Sequence, residues 1–377
     1  MNVDDSTTLY ESRVPLGAAA SAIAGAISGL LSLDANGPDA VSKPVFLDLE
    51  TTGLRPDAGT LVIVAGLGFV DGGDFVVRQW FLHEPATEPA FLGAIARLIG
   101  EFDTLVTFNG KCFDVPMLIN RLRLHRLSEV LPGRHLDLLY PARRIWRRRL
   151  RRSDLSTLEA HVLGTVRERD VPGYEIPGRY FAFLHERQEG AFTPVLEHNQ
   201  QDVVSMARLA LTIDRFVGSL DAARQAGPSD LLGLGRLLES TGRAGRAVSY
   251  YEMALIGASA TERADALSRL ADLARKSNEL DRAIQLYAAV SDYSTNQAAS
   301  AAIALAKIFE HHTRQPERAL TYARRAFALM GAGPQNCPAW AMQDVLRRIA
   351  RLEVKARTAP PSVEELRQLV ETQVDSP

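Results

Sequence analysis

A triplet recurs at a fixed interval in the second half of this chain: Arg246-Ala247-Val248, Arg282-Ala283-Ile284 and Arg318-Ala319-Leu320 follow one another every 36 residues. Other columns keep the same register: Leu231/Leu267/Ile303, Leu234/Leu270/Ala306, Leu237/Leu273/Phe309 and Tyr251/Tyr287/Ala323. Small residues where two helices must approach, large ones beside them, and turns at Gly242, Asn278 and Arg314 describe helix-turn-helix hairpins that stack. One such hairpin cannot bury its apolar face alone, so this period demands a solenoid. A helix from Pro338 to Leu352, bearing Trp340, Val345 and Ile349, is expected to cap the stack, and residues after Arg357 read as a tail with at most one short helix. The repeats are open to three uses: bracing the rest of the chain, self-association, or binding a protein partner.

Before Gly227-Pro228 the periodicity is different. Apolar runs rich in Val, Ile and Phe, at VFLDLE (45–50), TLVIVAGLGFV (60–70), FVVRQWFL (75–82) and TLVTF (104–108), predict strands of a buried sheet, with HLDLL (135–139) as a fifth. Short Gly/Asp breaks join the first three, which implies antiparallel neighbours. Residues 88–102 and 115–124 carry helical spacing around the fourth strand, which implies crossover connections, and a last helix is expected over about 196–217. At 377 residues the chain exceeds what one core supports. The expected organisation is a flexible or weakly helical leader over 1–40, an α/β mixed-sheet domain over 41–220, an all-α repeat domain over 229–356 and a tail over 357–377.

The leader contains an uncharged stretch, Val14 to Leu33, long enough to span a bilayer. Ala, Gly and Ser dominate it and acids precede it, so neither a secretory signal nor a membrane anchor is the favoured reading. Two cysteines, Cys112 and Cys337, lack metal-ligand spacing; a reducing cytoplasm is expected, with Cys112 as a small packing residue. Net charge is −2, which argues against a general nucleic-acid coat protein, yet Arg121 to Arg152 holds eleven Arg against Glu129 and Asp137. No Walker-type Gly-rich loop occurs, which leaves an NTPase reading without support.

Asp48 and Glu50 alternate at the end of the first apolar strand and therefore project to one side, about 6.5 Å apart along the backbone. Like charges at ~4 Å repel by about 4 kcal/mol at an effective dielectric of 20, so a cation is expected between them. Taken alone, the pair also fits a solvated edge strand.

Together, FLDLETTGL (46–54), FNGKCFDVPML (108–118) and EHNQQDVVSMARL (197–209) resemble the three exonuclease motifs of the ribonuclease-H-like DEDD nucleases, and in particular the YprB-like branch. The repeats resemble the tetratricopeptide family over roughly 229–330, with a period longer than that family's usual one. The fold class implied is an α/β ribonuclease-H-like mixed-sheet domain followed by an all-α tetratricopeptide-like solenoid. The resemblance implies a metal-dependent nuclease, a 3′-to-5′ exonuclease acting on DNA or RNA with two Mg²⁺ or Mn²⁺ ions; endonucleolytic cutting stays open, since no sequence feature closes the channel. It assigns Asp48, Glu50, Asp114 and Asp202 as metal ligands: Asp48 bridging, Glu50 and Asp202 on the nucleophile side, Asp114 on the leaving-group side. The physical alternative for Asp114 is an N-cap of the helix beginning near Val115.

His198 lies one helical turn before Asp202, on the same face, where a neutral imidazole can accept a proton. The related nucleases carry either Tyr at this spacing or His one residue earlier, so proton transfer, orienting water and contacting the phosphate all stay open for His198. Thr51, Thr52 and Gly53 are expected by resemblance near a terminal nucleotide, and ordinary turn formation explains them as well. Asn109 and Lys111 are candidates for substrate contact beside the second motif, against a turn residue and a solvated lysine. Arg143, Arg144, Arg147, Arg148, Arg149, Arg151 and Arg152 form the candidate phosphate-binding patch. Trp146 among them is open to base stacking or core anchoring. The competing function is a noncatalytic nucleic-acid-binding scaffold that uses the Arg patch and the helical repeats. Oligomeric state is not legible in the sequence.

Overall fold

The computed structural model describes residues 7–33, 41, 43–167, 170–187, 190, 192–293, 296–332 and 339–358. The chain divides into two compact units, Met1–Ala247 and Val248–Pro377.

The first unit is built on a six-stranded mixed sheet. Chain order begins with β1 (Thr7–Val14) and α1 (Ala18–Leu31), then β2 (Pro44–Thr51), β3 (Val62–Asp71) and β4 (Asp74–Leu82). The crossover elements follow: α2 (Glu88–Ile99), β5 (Thr104–Thr107), α3 (Asp114–Leu124) and β6 (Arg134–Asp137). Sheet order is β1-β4-β3-β2-β5-β6. β2, β3 and β4 are antiparallel neighbours, while β5 and β6 join in parallel, as hairpin breaks and helical crossovers require.

Strand alternation gives the sheet two unlike faces. Val45, Leu47, Leu49, Ala65, Leu67, Val76 and Trp80 turn toward Phe91, Leu92 and Ile95 of α2 and Met117, Leu118 and Leu122 of α3, forming one apolar core. The other face receives the long helix α7 after α4 (Leu139–Trp146), α5 (Leu155–Leu158) and α6 (Ile176–Glu186); α7 runs Thr193–Gly218. Gly66 and Gly68 of β3 let α7 come this close. A Cβ on Gly66 would stand 2.2 Å from Asn199 Oδ1, and one on Gly68 2.4 Å from Val203 Cγ1.

Over 7–33 the expected flexible or weakly helical leader is instead a strand and a helix packed into the sheet-containing unit. β1 pairs with β4 along its whole length, Thr7↔Leu82 to Val14↔Phe75, and completes the sheet edge. α1 buries Ile23, Ile27 and Leu30 and approaches α7 so closely that a Cβ on Gly29 would meet Asp214 Oδ1 at 2.5 Å. Small residues here serve close helix packing rather than flexibility. No helix of the described residues is long and apolar enough to cross a membrane. Residues 1–6, 34–40 and most of the expected tail, with Cys337 and Pro338, lie outside the described residues.

The boundary expected near residue 229 also shifts. After α8 (Leu220–Ala223), α9 (Pro228–Ser240) packs on α4, where a Cβ on Gly233 would stand 2.1 Å from the Ile145 carbonyl, and Asp230 accepts from Arg149 Nε at 2.9 Å. The first repeat helix therefore belongs to the sheet-containing unit, and the division falls inside α10 (Ala244–Ala254).

The second unit is helical throughout its described residues: α11 (Ala260–Lys276), α12 (Leu280–Ser291), α13 (Asn296–His311), α14 (Pro316–Ala332) and α15 (Ala339–Thr358). The repeat columns form its core, including Ala283, Tyr287, Phe309, Ala319 and Ala323. Gly242, Asn278 and Arg314, the expected hairpin turns, all have positive φ, at 76°, 63° and 54°. α15 packs against α14, and the buried Glu310 of α13 accepts from Arg351 Nε and Lys355 Nζ of α15, each at 2.9 Å, and from Arg348.

Candidate active site

β2 delivers its acids by alternation. Leu47 and Leu49 enter the apolar core, so Asp48 and Glu50 emerge on the α7 face at the strand's end. β5 pairs with β2 only as far as Phe46, leaving the Leu49 amide beyond that ladder. Asp114 fills the gap: its Oδ1 accepts from the Leu49 N–H at 3.1 Å. Asp114 is the first residue of α3, and the residue before it, Phe113, makes no side-chain cap bond, so the N-cap alternative is not realised. From the other side, α7 contributes Asp202 and, one turn earlier, His198, whose Nε2 lies 3.6 Å from Asp202 Oδ2 and 3.8 Å from Glu50 Oε1.

The four carboxylates sense one another. Burial, then Asp202, Glu50 and Asp114, pushes Asp48 well above the usual carboxylate range. Burial, then Asp202 and Asp114, does the same to Glu50, with Arg167 opposing. Asp114 is pushed up to about 7 by burial, against the Leu49 hydrogen bond, and burial raises Asp202 against the pull of Arg167 and His198. Glu50 is only 9% exposed, and the nearest basic group to its carboxylate among the described residues is His198 Nε2 at 3.8 Å, beyond hydrogen-bond distance. Buried carboxylates that repel one another call for more positive charge than Arg167 alone supplies.

Supporting residues that the motifs did not reveal hold this arrangement. Asn199, fully buried on α7, donates from Nδ2 to Asp48 Oδ2 at 2.8 Å, and its Oδ1 accepts from Gln79 Nε2 of β4 at 2.8 Å. Asp137, at the end of β6, accepts from the backbone N–H groups of Asn109 (2.8 Å), Lys111 (3.1 Å) and Leu139 (3.0 Å), so it clamps the second-motif loop. Glu159 lies buried on a single π-helical turn, Glu159–Leu163, and accepts from Arg167 Nε at 2.5 Å and from Ser205. So anchored, Arg167 reaches Asp202 with Nη2 and Asp170 Oδ1 with Nη1 at 3.1 Å. Asp170 also lies 2.8 Å from His198 Nδ1. The strand glycines 66 and 68 were the legible signal for close approach of α7; nothing local marked Arg167 or Glu159.

A family model described as RNase_H superfamily matches residues 45–213, which contain all four acids. A tetratricopeptide repeat model matches residues 266–297. Over 287 residues the chain is 32% identical to the uncharacterized protein YprB of Bacillus subtilis (strain 168), covering 75% of this chain and 68% of that protein. The chain belongs to the YprB-like family of the RNase H superfamily. The family B DNA polymerase of the hyperthermophilic archaeon Pyrobaculum calidifontis aligns with TM-score 0.38 and 15% identity over 67% of this chain and 29% of that one, a likeness too small to carry an argument.

The other candidate residues of this YprB-like chain are distributed unevenly. Thr51 Oγ1 donates to the Gly53 carbonyl at 2.6 Å, and Thr52 Oγ1 accepts from the Leu61 N–H at 2.8 Å, so both hydroxyls shape the turn after β2. Asn109, at φ 67°, and Lys111 are exposed on the clamped loop. Cys112, expected as a packing residue, is exposed as well. In the Arg patch, Arg143, Arg144, Arg147, Arg148, Arg149, Arg151 and Arg152 are all exposed, and Arg149 pairs with Asp230 and Arg152 with Asp154. Trp146 is 1% exposed in the core, which removes it from base stacking.

Divalent ions suit this donor set by chemistry: hard carboxylate oxygens, buried and mutually repelling. As the side chains stand, no three His, Cys, Asp or Glu among the described residues form a ready-made coordination sphere. Arg167 holds Asp202, and Asn199 holds one oxygen of Asp48.

Proposed function

We propose that this chain is a DEDD-type nuclease that hydrolyses phosphodiester bonds of DNA or RNA and trims nucleotides from a 3′ end. The observation that carries the reading is the convergence of Asp48, Glu50, Asp114 and Asp202, from three distant segments, into one buried group of interacting carboxylates. Asp48, Glu50, Asp114 and Asp202 would hold two Mg²⁺ or Mn²⁺ ions. Bound there, the ions supply positive charge where the attacking and departing oxygens become negative.

The protein's own groups do the rest. His198 Nδ1 lies 2.8 Å from Asp170 Oδ1 and 3.1 Å from Arg167 Nη1; in the tautomer that donates the Nδ1 proton to Asp170, the Nε2 lone pair faces Glu50 and Asp202 and takes the proton of an attacking water. Asn199 orients Asp48. Arg167 offsets the charge of Asp202 and must release it for that carboxylate to serve as a ligand.

End-labelled DNA and RNA oligonucleotides, incubated with the full chain and Mn²⁺ or Mg²⁺, test the proposal. Stepwise shortening from the 3′ end, lost in Asp48→Asn, supports it; intact substrate with every metal and strand sinks it. The Arg167 contact with Asp202 favours a second reading, the noncatalytic nucleic-acid-binding scaffold. Calorimetry separates the two: nucleic-acid binding without uptake of divalent ions supports the scaffold.

A further inference from the structure

Beside the second-motif loop, Tyr140 presents an exposed aromatic ring. It opens α4, is 51% exposed, and is followed on the same helical face by Arg143, Arg144 and Arg147, all exposed. The opposite face, Leu139, Ala142, Ile145 and Trp146, is buried. α4 is thus an amphipathic helix whose outward face carries one aromatic ring and then a row of guanidinium groups. Lys111 Nζ lies 5.8 Å from the Tyr140 ring centroid, a cation over an aromatic face.

These groups are held in register with the acids. Buried Asp137 binds the N–H groups of Lys111 and Leu139 at once, so the loop bearing Lys111 and the start of α4 move as one piece. Lys111 precedes Asp114 by three residues, at most about 11 Å of extended backbone. Lys111, and Tyr140 beneath it, are therefore within a few nucleotides' reach of the carboxylates.

An exposed ring gains stacking energy only from a base with a free face. Bases inside a duplex have none, whereas a single strand offers one at every position. We propose that Tyr140, Lys111 and the Arg143/Arg144/Arg147 face of α4 form a subsite for single-stranded nucleic acid, with one base stacked on Tyr140 and neighbouring phosphates on Lys111 and the arginines. Its alignment with the acids rests on the nuclease reading; its binding does not.

The full chain is titrated, in EDTA so that no hydrolysis occurs, into single-stranded DNA and RNA oligonucleotides carrying 2-aminopurine near the 3′ end. The wild type should quench the fluorophore by stacking. Tyr140→Leu should lose the quench and bind about tenfold more weakly or worse, while Tyr140→Phe keeps both. Combined Arg143→Gln, Arg144→Gln and Arg147→Gln should flatten the slope of log K against log salt by about 2, from ~0.7 per phosphate contact. Wild-type affinity in Tyr140→Leu overturns the subsite, as does tighter binding to a blunt duplex or no binding by the wild type. Binding with the expected Tyr140 dependence but no cleavage under Mn²⁺ sinks the nuclease reading and leaves the subsite standing.

Discussion

Asn199 donates from one amide nitrogen to two oxygens of Asp48, the carboxylate Oδ2 at 2.8 Å and the backbone carbonyl at 3.1 Å. With its own Oδ1 taken by Gln79, Asn199 can sit in only one orientation, and it fixes the rotamer of an acid 151 residues away. Asn199→Ala should fold and lower cleavage by roughly 10- to 100-fold, the usual effect of removing a residue that orients a ligand. Steady-state rates at several Mn²⁺ concentrations check this; unchanged rates would show that Asp48 holds its place unaided.

Gly66 makes room for that amide. Gly66→Ala sets a methyl group 2.2 Å from Asn199 Oδ1, whereas Gly68→Ala presses first on apolar Val203 and Phe75. Both substitutions should destabilise by about 1–3 kcal/mol through overpacking. Only Gly66→Ala should also depress cleavage beyond the loss of folded protein, which denaturant unfolding and rate measurements on the same samples distinguish.

Arg167 couples Asp202 to buried Glu159. Arg167→Gln leaves a buried carboxylate without its cation, which should cost roughly 3 kcal/mol and lower the thermal midpoint of the metal-free protein. The same change frees Asp202 and removes a positive charge, so Mn²⁺ should bind more tightly. Calorimetric titration reads the affinity, and weaker Mn²⁺ binding would mean that Arg167 helps to build the site instead of competing for it.

In the repeat unit, Glu310 is held down at about 2, burial being outweighed by hydrogen bonds from Arg351 and Lys355. An acid whose folded value is depressed contributes stability above its unfolded value, about 4.3, and loses it as pH falls toward the folded one. Glu310→Gln should therefore lower the unfolding midpoint of the helical unit at pH 7, with the gap to wild type closing between about pH 4 and pH 2. A gap independent of pH would show that shape, not charge, matters there.

Strand alternation made the Asp48/Glu50 pair legible because it is local; Asp114 and Asp202 were legible only through the resemblance of their motifs to those of the DEDD nucleases. Their supports were not. Arg167 and Glu159 sit in a stretch without regular period, and Asn199 acquires meaning only when β3 and β4 lie beneath α7. Composition misled at the N terminus, where Ala and Gly permit close helix contact as readily as flexibility. Around Arg143 to Arg152 the charge was plain, but only the folded chain separated buried Trp146 from exposed Tyr140 and paired Arg149 with Asp230.

The sequence by itself determined the two architectures and the repeat register, since each follows from periodicities of two, 3.6 and 36 residues written along the chain; which carboxylates meet came from the resemblance of three motifs to a known family. Tertiary structure alone decided what surrounds those carboxylates and which surface groups stay free. Burial, ion pairing and desolvation depend on segments brought together across more than a hundred residues, and no local pattern encodes that proximity.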